Sequence, residues 1–214
     1  MSYENIFFDF DGTICDTSDG VFNSFDYVCD YFGLPRLGLK IYKTLIGPPL
    51  IESFRGAFGF EEEKAKKAIE VYREYYTPKG LYEAHVYEGI PQLLSKLKEM
   101  NKKIFVASSK PELFVNQLLE RFSLSKFFDF AGGSDMAETR VQKSEVIEYV
   151  LKETRITHKE KCILIGDRKY DVIGAKKAGI ETIGALWGFG TREELESYGA
   201  IACASLPEDV LDLV

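Results

Sequence analysis

The stretch Asn5-Ile6-Phe7-Phe8-Asp9-Phe10-Asp11-Gly12-Thr13 constrains this chain more than any other. Four of its first six positions are apolar, and the run leads through two carboxylates into a glycine. Such a run reads as a buried strand entering a tight turn. Strand side chains alternate, which puts Asp9 and Asp11 on one face and Phe10 on the other. Two acids at a strand's C-terminal end repel each other and are costly unless a cation or a shared proton compensates. Taken alone, Asp11-Gly12 also reads as an Asx-type turn, with the carboxylate bonding its own backbone.

A second acidic cluster lies far downstream, in Cys162-Ile163-Leu164-Ile165-Gly166-Asp167-Arg168-Lys169-Tyr170-Asp171. An apolar strand again ends in Gly and Asp, and a further Asp follows four residues on. If a helix starts here, Asp167 and Asp171 share a face. Two parallel strands would bring Asp9, Asp11, Asp167 and Asp171 together at their C-terminal ends, where open α/β sheets bind ligands. A small set of oxygen ligands suits Mg²⁺, which keeps waters and bridges to substrate phosphate.

These two segments resemble the first and fourth motifs of the haloacid dehalogenase superfamily. Ile104-Phe105-Val106-Ala107-Ser108-Ser109-Lys110 is similar to the second motif, an apolar strand ending in Ser or Thr. Lys143, just before an apolar-periodic helix, is similar to the third motif's lysine. The four pieces fall in order over essentially the whole chain, nearest to the phosphoglycolate phosphatase-like branch, which also holds nucleotidases, pyrophosphatases and sugar-phosphate mutases.

The resemblance implies a doubly wound, Rossmann-like parallel α/β core with an all-helical cap inserted after the first strand. It implies a Mg²⁺-dependent phosphatase of a small phosphorylated metabolite. Asp9 would attack phosphorus and form an acyl-phosphate. Asp11 would protonate the leaving oxygen and later deprotonate water. Mg²⁺ would be held by Asp9, Asp167 and the backbone carbonyl of Asp11, with Asp171 reaching it through water. Gly12, Thr13, Ser108, Ser109 and Lys143 would bind phosphate. Lys110, Arg140 and Arg168 are rim candidates for phosphate or for ion pairs. Arg55, in the insertion, is a candidate for a substrate carboxylate.

Each residue has a plainer role. A Ser at a strand end commonly caps or turns, and a Lys before a helix is commonly solvated. Trp187-Gly188-Phe189-Gly190 reads equally as a rim loop or as aromatic packing. His85 and His158 lack ligand spacing with Cys, so zinc is not expected. The alternatives are a 5'-nucleotidase or pyrophosphatase, a phosphosugar mutase, or a metal-binding regulatory protein that keeps the fold without turnover.

A net charge of −7 argues against nucleic acid and anionic membranes as partners. No apolar run reaches the roughly 18 residues of a membrane span. The first strand begins almost at once, without a basic-then-apolar leader, so a cytoplasmic location is expected. Scattered Cys15, Cys29, Cys162 and Cys203 read as buried reduced thiols, with Cys15 near enough to the acidic turn to make activity oxidation-sensitive. Oligomeric state is not readable.

Pattern and punctuation divide the chain into a core of residues 1–15 and 86–214 and a helical insertion of residues 16–85. The insertion is expected to hold helices at 18–32 (capped by Ser18 or Asp19), 50–58 and 61–76, with Phe22, Phe25, Tyr72 and Tyr76 facing inward. In the core, strands are expected at 103–107, 127–131, 161–165, 181–186 and 200–204, separated by helices, with Gly132-Gly133-Ser134 as a turn and a final helix at 207–214.

Overall fold

Six strands form one parallel sheet: β1 (Asn5–Phe8), β4 (Lys103–Pro111), β5 (Phe130–Ser134), β6 (Cys162–Gly166), β7 (Glu181–Ala185) and β8 (Ala202–Ala204). Their order is β5-β4-β1-β6-β7-β8, and the two-residue strands β2 (Cys15–Asp16) and β3 (His85–Val86) pair separately. This is a computed structural model, and it describes residues 3–136 and 139–214. The chain divides into two units, Met1–Cys15 with Val86–Val214, and Asp16–His85.

The central strands are continuous apolar runs because both faces of the sheet are covered. On one face Phe7, Phe105 and Leu164 pack with Val146, Ile147 and Val150 of α7 (Lys143–Glu153) and Ala175 of α8 (Lys169–Ala178). On the other, Ile6, Phe8, Ile104, Val106, Ile163 and Ile165 are all fully buried. Helices α5 (Ile90–Glu99), α6 (Glu112–Arg121) and α9 (Arg192–Tyr198) complete the layers. The expected doubly wound parallel sheet is therefore present. From β1 the chain builds outward through β4 and β5, then crosses to β6, β7 and β8 on the other side. The order thus reverses between β1 and β6, and the carboxyl ends of strands at such a reversal are where open α/β sheets place ligands.

The unit Asp16–His85 is built from α1 (Ser18–Phe32), α2 (Leu39–Tyr42), α3 (Leu50–Phe58) and α4 (Glu62–Tyr76). Phe25 is fully buried, 5.3 Å from Phe54 and 5.1 Å from Tyr72 between ring centres, so the aromatic stripe is core packing. Arg55 is an exposed residue of α3.

Several local expectations need correction. Gly132-Gly133-Ser134 is strand, not turn. A Cβ at Gly132 would lie 2.4 Å from Val150 Cγ2, so glycine here serves close helix–strand packing rather than a bend. β4 runs on to Pro111, past its expected end at Ala107. The start of α1 is capped neither by Ser18 nor by Asp19. Thr17 holds the cap position, and the Asp16 carboxylate accepts the Ser18 N–H at 2.8 Å. Residues Pro207–Asp212 form a 3-10 helix rather than an α-helix.

Candidate active site

Asp9 leaves β1 with its N–H donating to the Ile165 carbonyl of β6 at 2.9 Å, so the two strand ends are tied at the site. Asp167 follows β6, and Asp171 sits in the first turn of α8. One carboxylate oxygen from each of Asp9, Asp167 and Asp171 lies within 4.8 Å of the others, and all three residues are buried. Asp171 Oδ2 accepts the Arg168 N–H at 2.9 Å, which satisfies the opening of α8 and fixes the side chain.

Lys143, at the start of α7, reaches into this cluster. Its Nζ lies 2.6 Å from Asp9 Oδ1 and 2.8 Å from Asp171 Oδ1, and donates to the Ala107 carbonyl of β4 at 3.0 Å. Glu145 supports that helix start by accepting the Gln142 N–H at 3.0 Å. Burial pushes the Asp9 carboxyl up to about 6, with Lys143 opposing and Asp171 adding to the rise. Burial, then Asp171 and Asp9, hold Asp167 well above the carboxylate range. Burial alone would lower Lys143, but Asp171 and Asp9 outweigh it and raise it.

Three carboxylates against one ammonium leave the cluster short of positive charge. Asp171 Oδ1 is buried and accepts no hydrogen bond, although the Lys143 ammonium faces it. An under-satisfied buried oxygen in an all-oxygen donor set fits a hard divalent cation of the Mg²⁺ kind.

Asp11 is not part of this cluster. Lys110 Nζ donates to its Oδ1 at 2.9 Å, and the Lys110 side chain is only 5% exposed. Lys110 is expected to meet phosphate or to form an ion pair, and it takes the ion pair, with Asp11. β4 continues past Ala107 with a break in its register against β5 before Pro111, and within that segment Ser108 and Lys110 are both buried. Ser108 is buried, and its Oγ accepts the Lys110 N–H at 3.2 Å; Ser109 is half-buried.

Gly12 has φ +82°, and a Cβ there would lie 2.2 Å from Asp167 Oδ2. Only glycine allows this turn to press against the carboxylate. Thr13 is fully buried, with Oγ1 3.5 Å from Asp167 Oδ1, so its hydroxyl faces the acidic cluster. Arg168 is buried and donates to Glu194 at 3.1 Å, and Arg140 donates to the Gly133 carbonyl and stacks 3.6 Å from the Tyr149 ring centre. Both arginines form the ion pairs that were one of their two expected roles, Arg168 with Glu194 and Arg140 with Glu112 at 3.6 Å. Cys15 is fully buried, which removes the direct access its expected oxidation sensitivity would need. None of the four cysteines forms a disulfide, and no described helix is long and apolar enough to cross a membrane.

Residues 6–185 match the family model described as haloacid dehalogenase-like hydrolase. A 5'-nucleotidase from Pseudomonas aeruginosa is 36% identical over 198 residues, which is 92% of this chain and 89% of that protein. Tyrosine-protein kinase PtkA from Mycobacterium tuberculosis is 31% identical over 191 residues, 89% of this chain and 65% of the kinase. A solved structure from Clostridium acetobutylicum, described as a predicted phosphatase, has a TM-score of 0.93 at 39% identity, with 99% of this chain and 100% of that chain covered. At 23% identity, a phosphoglycolate phosphatase from Vibrio parahaemolyticus aligns with 98% of this chain and 95% of its own.

Proposed function

The chain belongs to the haloacid dehalogenase-like hydrolase family, and from that premise we propose that it is a Mg²⁺-dependent phosphatase of small phosphorylated metabolites, working through an aspartyl-phosphate. The observation that carries the proposal is the buried Asp9–Asp167–Asp171 cluster, with Lys143 bridging two of its members at the β1/β6 strand ends.

Phosphate monoesters hydrolyse very slowly unaided, so charge neutralisation and alignment must supply most of the rate. A carboxylate oxygen of Asp9 forms a bond to phosphorus while the bond to the leaving oxygen breaks. Asp11 gives that oxygen a proton. Water then attacks phosphorus, Asp11 takes the proton back, and phosphate and the free Asp9 carboxylate are released. In the resting protein the Asp11 carboxyl is held in place by Lys110 Nζ at 2.9 Å. Lys143 neutralises charge as it builds on the phosphoryl oxygens, and Ser108 donates its hydroxyl to one of them. Mg²⁺, held by Asp9, Asp167 and the Asp11 backbone carbonyl with Asp171 behind, would neutralise substrate phosphate and orient it. The helical unit Asp16–His85 is the segment we assign to substrate choice.

The 36%-identical 5'-nucleotidase favours nucleoside 5'-monophosphates as the second reading of the substrate, beside phosphoglycolate. Purified protein given phosphoglycolate, nucleoside monophosphates, pyrophosphate, sugar phosphates and a tyrosine peptide with ATP would separate these. We expect Mg²⁺-dependent phosphate release to water, abolished by chelator, with one substrate ahead in kcat/KM. Phosphotyrosine formation without hydrolysis, or no release from any substrate, would overturn the proposal.

Thermal stability should report the ion as well. Asp9 is raised to about 6 from an ordinary 3.8, and Asp167 is also raised. The folded metal-free protein therefore keeps protons that the unfolded chain has already lost. Its stability falls as pH rises from about 4 through 6 and above. Mg²⁺ binds the ionised carboxylates, so its protection is larger at pH 7.5 than at pH 5. A ligand at 100 times its Kd adds about 2.7 kcal/mol, roughly 5–10 °C in Tm for a chain of this size. Scans with EDTA and with Mg²⁺ at the two pH values test both sign and size.

A further inference from the structure

The loop after β7, Trp187-Gly188-Phe189-Gly190, is not used by the chemistry above, yet it lies against the metal-binding carboxylate. The Phe189 N–H donates to Asp167 Oδ2 at 2.8 Å. The Trp187 indole N–H donates to the Thr13 carbonyl at 2.9 Å, and Thr13 Oγ1 faces the other oxygen, Asp167 Oδ1. Both oxygens of Asp167 are thus met by a donor, one from the loop itself and one from a residue the loop holds.

The glycines make this approach possible. A Cβ at Gly188 would lie 2.3 Å from the Gly12 carbonyl oxygen and 2.4 Å from Asp167 Cβ. One at Gly190 would lie 1.9 Å from the Asp167 carbonyl oxygen. Two of these three neighbours are backbone atoms, which cannot swing aside as a flexible side chain would. The spacing Trp-Gly-Phe-Gly therefore sets a backbone donor between two residues that must lack side chains, with an aromatic anchor on one flank.

We propose that the Trp187–Gly190 loop is a positioning element for the metal site, in which the Phe189 backbone amide, not its ring, aims Asp167 at the divalent cation. The proposal rests on the assignment of Asp9, Asp167 and Asp171 to a Mg²⁺ site. Partners that orient metal ligands typically contribute 10–100-fold in metal affinity. The hydrogen bond from the Phe189 amide also limits the rotation of a carboxylate that Gly12 and Gly188 both approach closely.

The test is Mn²⁺ binding, followed by the spin signal of the free ion, in wild type and variants whose folding is checked by circular dichroism in EDTA. Phe189→Pro deletes the donor and should raise the Mn²⁺ Kd by about 10–100-fold. Phe189→Ala keeps the N–H and removes the ring, and should bind as wild type does. Trp187→Phe keeps a ring but loses the indole donor, and should weaken binding severalfold; it carries the test if the proline variant does not fold. Wild-type affinity in Phe189→Pro, or in Trp187→Phe where the proline variant is unfolded, overturns the proposal. So does an equal loss in Phe189→Ala. Failure of the wild type itself to bind Mn²⁺, with no difference from Asp167→Asn, would instead reject the metal site on which the proposal stands.

Discussion

Asp9→Asn is expected to lower phosphate release by at least about 10⁴-fold while leaving a folded protein that is no less stable without metal than the wild type. The first part follows from nucleophile chemistry. An amide oxygen does not form the acyl-phosphate, and removing a nucleophile that acts as a unit with its partners costs on the order of 10⁴–10⁶ in kcat. The second part follows from electrostatics. Burial raises the Asp9 carboxyl to about 6, so its ionised form at pH 7 is a cost in the metal-free fold. Two units of raised pKa correspond to about 3 kcal/mol, which a neutral amide does not incur. That figure already includes the opposing attraction of Lys143, which keeps Asp171 at 2.8 Å in the variant. The Mg²⁺-induced rise in Tm should shrink, because a charged ligand is gone. Inactivity together with unchanged or raised metal-free Tm is the expected pair of results. Wild-type turnover would exclude the acyl-phosphate route.

The same electrostatics explain how much of the site could be read beforehand. β1 and β6 are buried on both faces, so they appear as apolar runs whose abrupt ends at Asp9 and Gly166-Asp167 mark the site. Asp167 and Asp171 do meet with Asp9, but not as the i, i+4 helix face expected, because α8 opens at Lys169 and Asp167 lies before it. Lys143 was legible only through its place in an ordered set of motifs, since nothing local distinguishes it from a solvated helix-start lysine. That Lys110 pairs with Asp11 in particular was not legible, because Ser108-Ser109-Lys110 has no apolar alternation to show the strand continuing. The Phe189 amide was invisible for a different reason: a backbone donor leaves no residue signature, and the flanking glycines read as loop punctuation. The two-residue strands β2 and β3 and the four-residue α2 are shorter than any period can reveal.

Lys143→Met probes the opposite sign of the same balance. The substitution keeps the length of the stem and removes the ammonium that stands 2.6 Å from Asp9 and 2.8 Å from Asp171. Both carboxylates then remain buried without their cation, a loss of about 3–5 kcal/mol for pairs of this kind. For a chain of this size that is roughly 6–20 °C in Tm. Lys143 lowers the Asp9 carboxyl in the wild type, so its removal lets that group rise further. A raised carboxyl holds its proton in the folded state, so the stability deficit is small near pH 5 and grows as pH climbs past 6. Mg²⁺ should restore part of the lost Tm by supplying the missing positive charge, which a purely steric defect would not allow. Turnover should fall about 10²–10³-fold even with Mg²⁺ present, the usual cost of losing one group that stabilises transition-state charge. Thermal scans at pH 5 and 7.5 with and without Mg²⁺, beside kcat for the best substrate, provide all four readings. A variant with wild-type stability at both pH values would show that Lys143 does not balance the acidic cluster.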